Sequence, residues 1–560
     1  MLRMRRYLVI LVFGGLFLGL FIRLFCLQVV DRRRYVDIAR KQHNLVLKVE
    51  ARRGSIFDKY MDPLAMNMEV ESVFCDPRII SDKSNMAEIL SRELGIDAES
   101  VRLKLQRDKA FVWIKRKIDQ AEYENLSSKN LRGVYFRPES KRKYPNDAMA
   151  SHVLGFVGTD NQGLEGIELL YEDQLKGRPG RRYETRDARM RSVLRKEEAS
   201  IPPHNGNNLV LTIDSVIQYI AEDELSAMVR NFNPAGGTVI VMDPFSGKVL
   251  ALASSPAYDP NDLSSLLPEH IKNPAVSDVF EPGSVFKVVA AAAALEEGAI
   301  TLEDKVHCEN GQYRTGGRML NDYRPYGEIS FEDVIARSSN IGVVKVAQKL
   351  GEKKLFEYIQ KFGFGEKTGI DLPGEVQGIS RHPRVWSRSD ITTIPMGQGI
   401  AVTALQLASA VSVIANGGYL MTPYIVEEII TWEGEKVKKN FPQVKRRVIS
   451  EKTCGKMKQA MRKVITDGTG RSSASKRYET CGKTGTAQMA SPAGGYYPDK
   501  YYATFIGFAP QEDPKISIVV VARDPRPLYF GGTVAGPAFK RIAERTLEYL
   551  GAEEIRSSSR

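Results

Sequence analysis

Apolar positions along the chain fall into three regimes. From Tyr7 to Ile22 almost every residue is apolar, Arg23 interrupts, and Leu24 to Val30 is apolar again. As one helix, the 24 residues from Tyr7 to Val30 would extend about 36 Å, enough to cross a bilayer once Arg23 snorkels to an interface. No small-x-small cleavage site follows, so an uncleaved anchor is expected rather than a removed signal peptide. From Asp31 to about Asn205 the pattern is charged and mixed, with helices predicted around Met86 to Leu94 and Ala98 to Gln106. The basic, glycine-containing stretch from Gly177 to Lys196 reads as a hinge or an exposed strand pair, and Pro202-Pro203-His204-Asn205-Gly206 as a boundary.

Past that boundary the apolar runs lengthen. Asn208 to Ile213 opens a second unit, and Thr238 to Met242 with Lys248 to Ala253 flank a turn-rich connection, as a hairpin would. Tyr502 to Phe508 and Lys515 to Ala522 form a second strand pair, and Pro537 to Leu550 is an amphipathic closing helix. Strands at both ends with helices between predict an α/β layer built on an antiparallel sheet.

Three short strings then bring in chemistry. Ser284-Val285-Phe286-Lys287 opens the alanine-rich apolar run that continues to Leu295, a pattern of a helix buried on every side. Ser284 in the first turn would present an unpaired backbone N–H to a developing oxyanion. Lys287, three residues on and alone in that apolar turn, would lose its charge by desolvation and become a base for the serine hydroxyl. The same string also fits a helix-capping serine beside a snorkelling lysine. Ser338-Ser339-Asn340 lies between two predicted helices. There Ser338 could relay a proton and Asn340 could orient Lys287, although Asn340 also suits a helix N-cap. Lys483-Thr484-Gly485-Thr486 suits an edge strand along which an extended peptide could lie, or a plain solvated strand end. In the first case Lys483 would supply positive potential, Gly485 would admit another backbone, and the Thr484 and Thr486 hydroxyls would bind a terminal carboxylate. The Thr486 N–H would complete an oxyanion hole. Any one string is weak; the three in this order are not.

Composition narrows the field. The 560 residues carry 80 basic and 68 acidic side chains, a net charge of +12, which suits an anionic membrane face, an acidic polymer or nucleic acid. No nucleic-acid-binding motif accompanies that charge. Five scattered cysteines and six histidines lack metal-ligand spacing, so neither a disulfide framework, a metal nor a cofactor is expected.

The three strings resemble the signature of penicillin-binding proteins and the related β-lactamases. Arg53-Gly54-Ser55-Ile56-Phe57-Asp58-Lys59 with Leu64-Ala65, and Gly163-Leu164-Glu165-Gly166-Ile167-Glu168, resemble the pedestal motifs of the class B members. Gly397-Gln398-Gly399, the capping box from Thr403 to Gln406, and Gly531-Gly532-Thr533-Val534-Ala535 also match. One departure is Tyr60-Met61, where the family usually has Asn-Gly in a turn. The resemblance implies a membrane-anchored multidomain α+β chain. Its parts would be a cytoplasmic tail at 1–6, a transmembrane anchor at 7–30, an elongated α/β pedestal (dimerisation-type) domain at 31–205, a transpeptidase domain with an antiparallel sheet flanked by helices at 206–550, and a disordered tail at 551–560.

The resemblance also implies D,D-transpeptidation of peptidoglycan stem peptides through a Ser284 acyl-enzyme, with β-lactams acylating the same serine. Lys287, Ser338, Asn340 and Lys483 would complete the catalytic set, with Thr484, Gly485 and Thr486 binding substrate. Loop charges around the anchor are balanced and do not decide its orientation; the family resemblance places the catalytic part outside the inner membrane. Lipid-linked polymer would come from a partner, a SEDS-type glycosyltransferase, because no glycosyltransferase domain precedes the pedestal. Ala39-Arg40-Lys41-Gln42 and Val70-Glu71-Ser72-Val73-Phe74 resemble the division (penicillin-binding protein 3) subtype more than the elongation one, which would add other division proteins as partners.

The rival readings are a carboxypeptidase or β-lactamase-like hydrolase, a non-catalytic division scaffold and a β-lactam receptor. No Glu-x-x-Leu-Asn string of the class A β-lactamase kind is present, and the few residues before the anchor leave no output domain for a receptor.

Overall fold

A computed structural model describes residues 2–36, 44–186, 192–193, 200–264 and 266–555. The subtype string Ala39–Gln42, parts of the 177–196 stretch and the last five residues lie outside these. Contacts divide the chain into two compact units, Met1–Arg53 with Lys176–Gly206, and Gly54–Leu175 with Asn207–Arg560.

The first unit begins with an α-helix, Leu2–Phe25, that continues as a π-helical turn over Cys26–Val30. From Arg3 to Phe25 its side chains are exposed, and Arg3–Val30 has a mean hydropathy of 2.5 over its most apolar 18 residues. An exposed helix this apolar is stable only in lipid, so it is compatible with a single-pass membrane anchor. Asn44–Val49 pairs antiparallel with Gly180–Arg186, which in turn pairs with Ser192–Val193. The stretch expected as a hinge or strand pair is thus a strand pair over its described part.

In the second unit the principal strands are β1 (Ile56–Phe57), β2 (Pro63–Cys75), β3 (Val112–Lys115), β4 (Val134–Lys143) and β5 (Asn208–Leu211). They continue with β6 (Gly236–Met242), β7 (Val249–Ser255), β8 (Val426–Ile430) and β9 (Lys436–Lys439). The last three are β10 (Cys481–Ala490), β11 (Tyr496–Ala509) and β12 (Ile516–Arg523). One sheet runs β9-β8-β5-β1-β2-β3, with β4 also on β2. Within it β1 pairs parallel with β5, Ile56 opposite Leu209, so the motif after Arg53 is sewn to the strand that opens the C-terminal part.

The other principal sheet has the order β7-β6-β12-β11-β10, each neighbour antiparallel, and β10 is its edge. Every residue of β6 is buried, because both faces are covered. Val239 and Val241 pack with Ile217 and Ile220 of helix α1 (Ser215–Phe232). Ile240 and Met242 share a cluster with α2 (Lys287–Glu296) and α4 (Ala404–Ala415); α3 (Asn340–Leu350) joins the same cluster. The closing helix α5 (Gly536–Tyr549) lies with α1, its Phe539 and Ile542 buried. The protein is therefore α+β, an antiparallel sheet between helical layers. Beyond α5 the chain is held as far as Ile555, whose N–H donates to Arg477 O at 2.7 Å while Glu554 pairs with the Arg477 guanidinium at 2.5 Å. That corrects the expected disorder of the tail over its described part.

The turn at Tyr60-Met61 forms without the family's glycine. Asp58 Oδ1 accepts from the N–H groups of Tyr60 (2.8 Å) and Asp62 (2.9 Å), and Met61 adopts φ 71°. A β-carbon in this left-handed region costs about 1–2 kcal/mol, against about 0.5–1 kcal/mol of added chain entropy for glycine. Met61 is exposed, so little packing is at stake. Met61→Gly is expected to stabilise this unit by up to about 1 kcal/mol, read as a raised thermal midpoint; a lowered one would show that the methionine side chain makes a contribution of its own.

Candidate active site

Ser284 sits second in a 3₁₀ turn, Gly283–Phe286, that feeds directly into α2, so it precedes the α-helix rather than lying in its first turn. Its N–H still belongs to the group of helix-start donors without an intrahelical acceptor. Two glycines let the edge strand approach this turn. Gly283 has φ 58°, and a β-carbon there would lie 3.0 Å from Thr486 O and from Ala487 Cβ; one on Gly485 would lie 2.9 Å from Val285 Cγ1 and 3.0 Å from Pro282 O. The backbone that Gly485 admits is therefore the chain's own serine-bearing turn. Gly397 closes the other side: Gly283 N–H donates to its carbonyl at 3.1 Å.

Lys287 begins α2 with its side chain buried at 1 % exposure. Its Nζ donates to Ser338 O at 2.6 Å and Asn340 Oδ1 at 2.7 Å, and lies 3.2 Å from Ser338 Oγ. Lys483, on β10 and wholly buried, donates to Thr484 O at 3.0 Å and to the same Ser338 Oγ at 2.9 Å. The three strings thus meet at one hydroxyl. Burial brings Lys287 down to about 7, opposed by the charge of Asp322. Burial, reinforced by the charge of Lys287, holds Lys483 well below the ordinary lysine range. Two ammonium groups sharing one hydroxyl in a dry pocket cannot both persist. Burial and like charge thus favour the pair shedding charge, and Lys483 supplies positive potential only when it is protonated.

A neutral Lys287 has two N–H groups and one lone pair. Ser338 O and Asn340 Oδ1 can only accept, so they take both N–H groups and leave the lone pair for the Ser338 hydroxyl. Among the hydrogen bonds of the described residues, Ser284 Oγ is not a partner of Lys287, so the direct bond expected from the sequence is not formed in this resting state. Catalytic hydrogen bonds commonly tighten only when substrate is bound.

The local fold explains why Ser338 stands where it does. It adopts φ 60° between two helices, which turns its carbonyl and hydroxyl back toward Lys287. Ser339, not Asn340, caps α3, its Oγ accepting from Gly342 N–H. Asn340 is then the first helical residue, with its amide donating to Asn321 O at 2.9 Å and its oxygen on Lys287. Asp322 was not foreseen. Its carboxylate accepts from Ser339 Oγ (2.6 Å) and from the N–H groups of Asn340 (2.5 Å) and Ile341 (3.1 Å), pinning the whole junction. An acidic residue at a helix N-terminus is a recognisable signal, but this one arrives from a hairpin eighteen residues upstream.

On β10 the Thr484 hydroxyl pairs with Thr469 at 2.6 Å, a second residue the sequence did not single out. Thr486 Oγ1 accepts from Gly531 N–H at 3.0 Å, which leaves its own proton to donate. A β-carbon on Gly531 would lie 2.1 Å from Gly485 O, so the Gly531-Gly532 motif braces the strand from behind.

The comparisons with known proteins bear on this geometry. Residues 237–544 match the penicillin binding protein transpeptidase domain, and residues 48–211 match the penicillin-binding protein dimerisation domain. The chain belongs to the class B penicillin-binding proteins. It is 36 % identical over 558 residues to stage V sporulation protein D of Bacillus subtilis, covering 98 % of this chain and 86 % of that one. It is 31 % identical over 535 residues to the peptidoglycan D,D-transpeptidase FtsI of Escherichia coli, covering 94 % and 88 %. Penicillin binding protein 3 of Mycobacterium tuberculosis, solved in complex with aztreonam, superposes with a TM-score of 0.72 at 26 % identity, over 91 % of this chain and 98 % of that one. This penicillin-binding protein is a serine acyltransferase-type enzyme of peptidoglycan synthesis, with one N-terminal apolar helix compatible with a single-pass membrane anchor.

Proposed function

We propose that Ser284 attacks the carbonyl of the terminal D-Ala-D-Ala bond of a donor stem peptide, with Lys287 taking its proton. The carbonyl oxygen becomes an oxyanion held by the N–H groups of Ser284 and Thr486. Lys287, then an ammonium, passes its proton by way of Ser338 to the departing amine, and free D-alanine leaves. An amine of a neighbouring stem attacks the ester, giving its proton back along the same path, and the cross-link forms as Ser284 is restored. Asn340 orients Lys287, Thr484 and Thr486 bind the terminal carboxylate, and Lys483 holds the Ser338 hydroxyl and is recharged as that carboxylate arrives.

The observation that carries this reading is the convergence of Lys287 and Lys483 on Ser338 Oγ beside the turn that bears Ser284. The test is intact-protein and peptide mass spectrometry after incubation with a labelled penicillin. One adduct on the peptide containing Ser284 is expected; modification elsewhere, or none, rejects the assignment.

The catalytic part is placed outside the inner membrane, where stem peptides are, with polymer supplied by a SEDS-type glycosyltransferase. Likeness to FtsI supports septal synthesis, and the 36 % identity to stage V sporulation protein D supports a second setting, sporulation, with the same chemistry. Replacing the native gene with a Ser284→Ala copy separates both from a scaffold, because a scaffold would still support septation.

A further inference from the structure

Asp322, the residue that follows the hairpin of Gln312–Thr315 and Arg318–Asn321, is placed to do more than finish a helix end. Together with its neighbour it grips Asn340 from two sides: Asn321 O accepts from the side-chain Nδ2 at 2.9 Å, and the Asp322 carboxylate accepts from the backbone N–H. An amide whose NH2 is held on a carbonyl can turn only its oxygen the other way. That oxygen is the one that accepts from Lys287 Nζ at 2.7 Å. The same carboxylate takes Ser339 Oγ and Ile341 N–H, immediately after Ser338, whose φ of 60° is a left-handed conformation that a β-carbon disfavours. Three charge-assisted hydrogen bonds offset that strain. The turn that aims Ser338 O and Oγ at Lys287 is thus held from behind by Asp322.

The carboxylate also brings a charge. From the other elements around Lys287, β10 contributes Lys483, the junction contributes the neutral Ser338 and Asn340, and α2 carries no further charge before Glu296. Cys308 and Tyr326, which feel the charge of Asp322, are both pushed up by burial and stay uncharged near neutral pH. Among the described residues Asp322 is therefore the one anion that acts on Lys287, against the burial and the like charge of Lys483 that favour the neutral amine. We infer that Asp322 is a positioning residue for acylation of Ser284 with two separable effects: its hydrogen bonds hold the Ser338–Asn340 junction in the geometry that receives Lys287, and its charge sets how far down in pH Lys287 still acts as a base. The two effects have opposite signs at low pH. Loss of the hydrogen bonds slows acylation at every pH. Loss of the charge removes what favours the ammonium, so the neutral amine persists to lower pH and the acid limb moves down. The inference rests on the reading of Lys287 as the base given above and adds what fixes the pH at which that base works.

The test compares the full-length protein with its Asp322→Asn and Asp322→Glu variants. Each is acylated with a labelled penicillin across the acid limb and the plateau above it, and intact-protein mass spectrometry gives the rate constant and the final amplitude. Asparagine keeps the shape of the side chain but loses the charge and turns one acceptor end into a donor. In Asp322→Asn the plateau rate is expected to fall about 10- to 100-fold, the effect of slightly misplaced catalytic groups, while the midpoint of the acid limb moves down by about half a pH unit or more. Asp322→Glu keeps the charge and displaces it, so its plateau should fall while its midpoint stays with that of the unaltered protein. A role confined to stability would lower the amplitude and leave the rate constant and midpoint unmoved; that pattern in Asp322→Asn would overturn the inference. So would a midpoint that rises or stays in Asp322→Asn, or one that falls as far in Asp322→Glu. Should Asp322→Asn leave no acylating fraction, Asp322→Glu decides alone: a lower plateau at an unchanged midpoint supports the inference, and an unchanged plateau or a moved midpoint rejects it. An unaltered protein with no acid limb would sink the reading of Lys287 as base and this inference with it, whereas an acid limb that Asp322→Asn leaves in place sinks the inference alone.

Discussion

Replacing Lys287 by methionine is expected to slow acylation of Ser284 by penicillin about 10²–10⁴-fold, the range a positioned general base supplies. Methionine is similar in length, so the change removes the amine with little change of volume. It orphans Ser338 O and Asn340 Oδ1, which now accept from Nζ at 2.6 and 2.7 Å, at about 1–3 kcal/mol of stability; a thermal scan confirms that folded enzyme is being assayed. The pH profile gives the sharper readout. Lys287 is brought down to about 7 by burial, and only its neutral form can take the serine proton. Acylation should therefore be full above that pH and fall as pH drops through it, about tenfold per unit where the ammonium dominates. Lys287→Met should lose this acid limb together with the rate. A wild-type rate that stays flat from pH 8 to 5 would mean that the base is another group. The variant also removes the like charge that holds Lys483 down, so Lys483 should bind a proton more readily.

What the chain disclosed in advance was local. The anchor, the hairpins at 238–253 and 502–522 and the buried helix after Lys287 follow from runs and periods within about twenty residues. The three strings could be read as one site only because their order carried a family pattern. Spacing along the chain says nothing of how residues 284, 338 and 483 meet, since each reaches the site on a different element. The contributions of Asp322 and Thr469 were illegible for the same reason. Each is an ordinary polar residue in its own neighbourhood and acquires a role only when a hairpin or a loop delivers it to another element's end. Gly485 was read as room for a substrate backbone, and the room is taken up by the chain's own turn at Pro282 and Val285. Asn340 suits a helix N-cap by composition and serine does so equally; the structure gives that position to Ser339, whose Oγ accepts from Gly342 N–H with the Asp322 carboxylate behind it.

Removing one partner of the buried pair Arg142 and Glu168 is expected to cost about 3–5 kcal/mol of stability. Their side chains are 1 % and 0 % exposed, with Arg142 Nε donating to Glu168 Oε1 at 2.7 Å. Arg142 Nη1 also donates to Gly54 O at 2.7 Å and to Asn67 Oδ1 at 3.1 Å, and Tyr144 OH reaches Glu168 at 3.4 Å. One guanidinium thus joins β4, β2 and Gly54, two residues before β1, tying together the two motifs that the family resemblance assigned to the pedestal. Gly54 leaves no slack there, because a β-carbon on it would lie 1.8 Å from Asn207 O, next to the strand β5 that β1 extends. Arg142→Met takes the guanidinium from that buried carboxylate and frees the Gly54 carbonyl, so the Ile56–Leu209 pairing should loosen and the thermal midpoint drop steeply. Adding Glu168→Leu removes the carboxylate as well, and the double variant should recover part of the loss, since a buried ion pair exchanged for apolar groups of similar volume is often close to neutral. A double variant no more stable than Arg142→Met would locate the cost in the Gly54 and Asn67 hydrogen bonds instead of the charge. Because α2 and β10 draw their packing from other elements, acylation by penicillin at a temperature below unfolding should be far less affected than stability. A loss of acylation as large as that of Lys287→Met would show instead that this sheet and the serine site are energetically coupled.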